Sequence, residues 1–95
     1  MFFMAYIRNA NGTSRWKKPS TGENSWLEYW ENQTGTKAKC CGATDCNSKN
    51  NLVGAHVKNI FGGEELYITP LCQECNNRDG IFKVDSELVR VPSGL

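Results

Sequence analysis

The side chains best equipped for chemistry in this sequence are five cysteines and a single histidine: Cys40, Cys41, Cys46, Cys72, Cys75 and His56. Cys72 and Cys75 stand in "LCQECN", with two residues between them and Asn76 directly after. Such a pair can close a disulfide, shuttle electrons, or give two thiolates to a metal. A redox pair calls for a βαβ setting and leaves the other cysteines unexplained. An odd cysteine count does not suit a secreted disulfide framework. Clustered cysteines in a reducing compartment serve mainly as metal ligands or nucleophiles. The bland alternative is a reduced cluster without metal. Zinc prefers four thiolates in a tetrahedron with bonds of about 2.3 Å, so four of the five fill one structural Zn2+ site and one is spare.

Cys72 and Cys75 form one half of that site. Cys46 completes the other half with Cys41, four residues between, or with Cys40, five between. Cys41 is favoured because Gly42 directly after it lets the chain turn tightly, and Cys40 stays open as the alternative. His56 has three readings: a buried histidine supporting the cysteine hairpin, a general base, or a ligand replacing one thiolate.

These groups need elements to hold them. "KCCGATDCNSKNN" is dense in turn formers and reads as a loop carrying Cys40, Cys41 and Cys46. "LVGAHV", Leu52 to Val57, reads as a strand, "KNIFGGEE" as a loop hinged on Gly62-Gly63, and "LYIT", Leu66 to Thr69, as a second strand. Cys72 to Asp79 is expected to form a short helix stopped by Gly80. Free N–H groups at a helix start stabilise thiolate charge. Upstream, "NSWLEYWENQTG" is the clearest helix: Ser25 caps it, Glu28 completes a capping box, and Gly35 ends it. Trp26, Tyr29 and Trp30 share one face at i, i+3 and i+4, as core residues do. Residues 1–23 read as an extended start and a loop. The loop holds Arg15-Trp16-Lys17-Lys18, a solvated turn or a cluster able to stack on a base and hold a phosphate. "IFKVDSELVRVP" reads as a tail with β-prone pieces that lies back on the core.

Length and composition bound the whole. Ninety-five residues suggest a single unit, 1–95, divided into an N-terminal extension and helix (1–39), a zinc-binding core (40–80) and a tail (81–95). A chain this small often relies on a metal or disulfides. Hydrophobic residues make up 39% and mean hydropathy is −0.54, with no apolar run approaching a membrane span. "MFFMAYIRN" lacks the basic region and cleavage site of a signal peptide, so a cytoplasmic location is the expectation. Net charge is +1. Residues 1–39 hold six basic and three acidic groups, and 40–95 hold five and seven. That is not the footprint of a protein that grips a duplex by its phosphates.

With His56 between the cysteine pairs, residues 40 to 80 resemble the HNH endonuclease family, ββα-metal proteins related to treble-clef zinc fingers. "LVGAHV" is similar to the strand bearing the family's base histidine, and "LYITPLCQECN" to its second strand and helix start. The resemblance covers roughly 40 of the 95 residues and none of the N-terminal half. It implies His56 as general base, Asn76 as ligand of a second, catalytic divalent metal, and Tyr67 where an asparagine usually orients the base. Ala55 stands where another metal ligand is expected. "SW-E-W", "GAHV" and "PLC–CN" together also resemble a small bacterial protein type, which implies a bacterial or phage source.

The sequence therefore predicts an α+β fold: a zinc-stabilised, treble-clef or HNH-like ββα core with an added aromatic-rich helix. The leading expectation is a zinc-binding module that binds nucleic acid, through Arg15, Trp16, Lys17 and Lys18, or a protein partner, without full nuclease chemistry and without a membrane. The alternatives are a metal-dependent HNH endonuclease using His56, and a small inhibitor or accessory protein.

Overall fold

A computed structural model describes residues 4–10, 19, 21–63 and 65–92. The elements are β1 (Ala5–Asn9), α1 (Trp26–Thr34), β2 (Leu52–Asn59), β3 (Leu66–Cys72), α2 (Gln73–Asn76), β4 (Phe82–Val84) and β5 (Val89–Arg90). The strands form one antiparallel sheet in the order β4-β1-β2-β3-β5. The fold is α+β, with a cysteine cluster at the end of the β2–β3 hairpin.

That hairpin is the backbone of the sheet. Its register runs from Leu52↔Cys72 to Lys58↔Leu66. Both strands outrun their sequence expectation, β2 to Asn59 and β3 to Cys72. The ladder continues past "LYIT" through Pro70, Leu71 and Cys72, which lie opposite Gly54, Val53 and Leu52. The extended start becomes β1, an inner strand between β4 and β2. The tail supplies both edges: β4 lies beside β1 and β5 beside β3.

Side chains alternate across a sheet, and here the two faces carry different cores. One face gathers Ile7, Ala55, Val57, Leu71, Phe82 and Val84 around Cys41, Ala43, Cys72 and Cys75. The other receives α1, whose Trp26, Tyr29 and Trp30 pack with Ile68. α1 follows its signals closely. Ser25 Oγ accepts from the Glu28 N–H at 3.1 Å. Gly35 closes the helix at φ +69°, donating to Glu31 O at 2.9 Å. The polar tips of its aromatics reach the tail: Trp30 Nε1 donates to Glu87 O (2.8 Å) and Tyr29 Oη to Arg90 O (3.1 Å). Gly54 on β2 lets the helix sit this close, since a Cβ there would lie 2.4 Å from Leu27 N.

α2 is shorter than expected. It spans four residues and is capped by Asn77, not carried to Asp79. Asn9 explains the stop: its Nδ2 donates to both Cys75 O and Arg78 O at 2.9 Å, taking up carbonyls at that helix end. Among the described residues, no helix is long and apolar enough to cross a membrane.

Candidate metal centre

Four sulfurs converge. The Sγ atoms of Cys41, Cys46, Cys72 and Cys75 all lie within 4.8 Å of one another, from a loop on one side and the β3–α2 junction on the other. Cys46 Sγ and Cys72 Sγ are 3.8 Å apart. Four bonds of about 2.3 Å to a tetrahedral ion require sulfurs about 3.8 Å apart, whereas a disulfide requires about 2.05 Å. All five cysteines are free thiols, so the four are positioned to coordinate a metal ion. Cys40 is exposed and outside the group.

The loop that carries Cys41 and Cys46 is pinned by its backbone. Cys46 N–H donates to Ala43 O (3.1 Å), closing the turn, and Cys41 N–H to Ser48 O (2.8 Å). Gly42 N–H reaches Pro70 O on β3 (2.8 Å), while Gly42 O accepts from Asp85 N–H (3.0 Å). Gly42 matters for closeness more than for turning. A Cβ there would lie 2.1 Å from Ser86 Oγ and 3.0 Å from Pro70 O. The loop is thus tied to β3, to the tail and, through the Ala43↔Val84 bridge, to β4.

Electrostatics favour a cation among these sulfurs. Burial pushes the Cys41 thiol up. Burial, with the neighbouring Cys41 and Cys72, pushes Cys75 up further. At Cys72 burial opposes ionisation, but the Cys75 backbone and the surrounding thiols outweigh it and hold the group below its ordinary range. One thiolate therefore forms readily and its charge opposes the next. A divalent ion reverses that balance by stabilising every thiolate at once.

Arg78 adds to this, and the sequence alone does not assign it. Its guanidinium grips Asp45 with two hydrogen bonds (2.8 and 2.7 Å) and lies 3.9 Å from Cys75 Sγ. It also covers the Phe82 ring at 4.5 Å. The hydrogen bond to Asp45 holds the guanidinium firmly charged. Four thiolates around a divalent ion carry a net −2, so a fixed cation beside them offsets part of that charge. The signal was an arginine three residues past Cys75, but its partner Asp45 is 33 residues away.

The residues assigned to phosphodiester chemistry do not gather in the same way. His56 pairs across the hairpin with Ile68, on the face that α1 covers, and its ring meets Trp26 edge-on at 4.8 Å between centroids. It is only 8% exposed, and burial lowers its pKa to about 4. Ala55 and Tyr67 belong to the opposite core, with the cysteines. The Tyr67 hydroxyl donates to Glu65 Oε2 at 3.3 Å, away from the imidazole. Asn76 is the half-buried last residue of α2. Arg15, Trp16, Lys17 and Lys18 lie outside the described residues.

No family model, curated protein or solved structure matches the chain.

Proposed function

We propose that this chain is a zinc-stabilised binding module, built on an HNH-like, treble-clef scaffold and lacking phosphodiester-cleaving chemistry. The observation that carries the reading is the convergence of four cysteine sulfurs within 4.8 Å. An all-thiolate donor set selects zinc over the oxygen-loving magnesium and calcium. Four protein ligands close the coordination shell, which is the pattern of structural zinc rather than of a catalytic site with an open position. The order of parts supports the scaffold: a cysteine loop, a hairpin, then Cys-x-x-Cys at the start of a helix. Structural zinc in small peptides contributes about 10–16 kcal/mol, comparable to the whole margin of a domain at about 5–15 kcal/mol. The metal's work here is therefore stability.

The endonuclease alternative needs His56 to meet both water and a phosphate. A histidine packed against Trp26 and 8% exposed does neither. With catalysis set aside, recognition of a partner is the activity the scaffold offers.

Native mass spectrometry before and after chelation tests the metal. One zinc per chain, lost with the chelator, is the expected result. Two disulfides in the purified protein would overturn it. Incubation with plasmid and magnesium or manganese should leave the DNA intact, and cutting that disappears in His56→Ala would reinstate the nuclease.

A further inference from the structure

Helix α1 packs on β2, β3 and β5, leaving the β1–β4 half of that face uncovered by it. The register defines what this half presents. Arg8 lies opposite Lys58 on β2, and Tyr6 lies opposite Lys83 on β4. All four alternate to the same face, because Lys58 is two residues from His56. Ile60 N–H donates to Tyr6 O at 3.1 Å, which brings the β2–β3 turn alongside. Phe61 follows in that turn and is held there: its N–H donates to Asn59 Oδ1, and Gly62 N–H to Asn59 O, both at 3.0 Å.

The outcome is an aromatic and basic surface. Phe61 is 81% exposed and Tyr6 47%. Their rings meet edge to face at 6.4 Å, and Lys83 Nζ lies 5.9 Å from the Tyr6 ring. Beside them runs a groove of about 330 Å³ lined by Arg8, Lys58, Asn59, Ile60, Gly63 and Ile81. Among the described residues, that lining includes the cations of Arg8 and Lys58. Arg8 differs from the other described arginines. Arg78 and Arg90 each pair with a carboxylate, Asp45 and Glu65. Arg8 is exposed and has no ion-pair partner among the described residues.

We propose that Tyr6 and Phe61, with Arg8 and Lys83, form a platform for single-stranded nucleic acid. Exposed rings on a sheet take unpaired bases by stacking, and adjacent cations take the phosphates. A duplex hides its base faces, and a net charge of +1 does not hold its backbone. Its two exposed rings, Tyr6 and Phe61, offer stacking faces for unpaired bases. It rests on the reading of the chain as a binding module, not on the identity of the metal. It also places recognition on β1, β2 and β4, away from the cysteines.

The test is fluorescence anisotropy with the metal-loaded full chain and labelled DNA and RNA strands of about ten nucleotides, with zinc content and melting followed in parallel. Binding that weakens steeply with salt is expected. Tyr6→Ala and Phe61→Ala should each weaken it at least about fivefold, and Arg8→Glu should also flatten the salt dependence. Phe61 is too exposed to carry the fold, so its variant keeps the test open if Tyr6→Ala is unstable. No binding at low salt, equal binding by the variants, or preference for the matching duplex would overturn the proposal. So would a dimer abolished by Phe61→Ala, which would assign the surface to a second copy. Loss of zinc content in the native chain would refute the metal reading, not this one.

Discussion

The two faces of the sheet are held by different physics. On one, a nine-residue helix delivers two tryptophans and a tyrosine, each at most 6% exposed, against Ile68. On the other, the core includes small side chains such as Ala43 and Ala55, and the loop over it is tied by scattered backbone hydrogen bonds. Its helix, α2, has four residues. Helices this short are not stable on their own. The aromatic face can rely on buried area, since an aromatic side chain hides about 150–250 Å². The cysteine face has four sulfurs positioned for a metal ion, which would join residues 41, 46, 72 and 75 through one atom. Coordination there would add to what so small a domain's core supplies.

The largest effect should come from that atom. Chelation, or Cys72→Ser, is expected to remove roughly 10 kcal/mol and unfold the 40–80 region, seen as lost amide-exchange protection there. Because β2 and β3 lie inside that region and α1 packs on them, protection on α1 should fall with it. If the 40–80 region instead keeps full protection without metal, the contrast between the faces fails.

Next comes the aromatic side. Trp30→Ala should cost about 3–5 kcal/mol, read by denaturant unfolding, with metal stoichiometry unchanged. Gly54→Ala acts at the same interface by forcing a methyl onto the α1 backbone, and should cost about 1–3 kcal/mol or more. A loss of metal binding in either variant would mean the faces are coupled.

His56 gives a pH-dependent measure of the same interface. Its folded pKa is about 4 against 6.5 for the unfolded chain. The folded state therefore binds fewer protons, and the stabilisation from keeping the ring neutral is complete above about pH 6.5 and lost as pH falls towards 4. The difference corresponds to about 3 kcal/mol. His56→Asn should flatten the stability profile across that window, and an unchanged slope would contradict the burial of the ring. The smallest effect belongs to Cys40→Ser, expected within about 0.5 kcal/mol and with full metal binding. Reduced stoichiometry there would reopen the choice between Cys40 and Cys41.

Much of this was legible where the signals are local. Ser25, Glu28, the aromatic spacing and Gly35 mark α1 because capping and face formation operate within a turn or two of chain. The hairpin was visible for the same reason, as two β-rich runs around Gly62-Gly63. The end of α2 was not, because the group that meets its carbonyls is Asn9, 66 residues from Cys75. Nor was the grip of Arg78 on Asp45, for the same reason of distance.

Residue type and spacing alone determined that this chain carries a set of thiols suited to a metal, and an aromatic helix. Both are properties of short stretches, governed by ligand chemistry and by 3.6-residue periodicity. Only the tertiary structure decided which four sulfurs meet, that β1 and the tail flank the hairpin, and that α1 covers His56 while leaving Tyr6 and Arg8 open. Those outcomes depend on pairings between distant segments, on register and on which sheet face each element covers. Spacing along the chain carries no record of them.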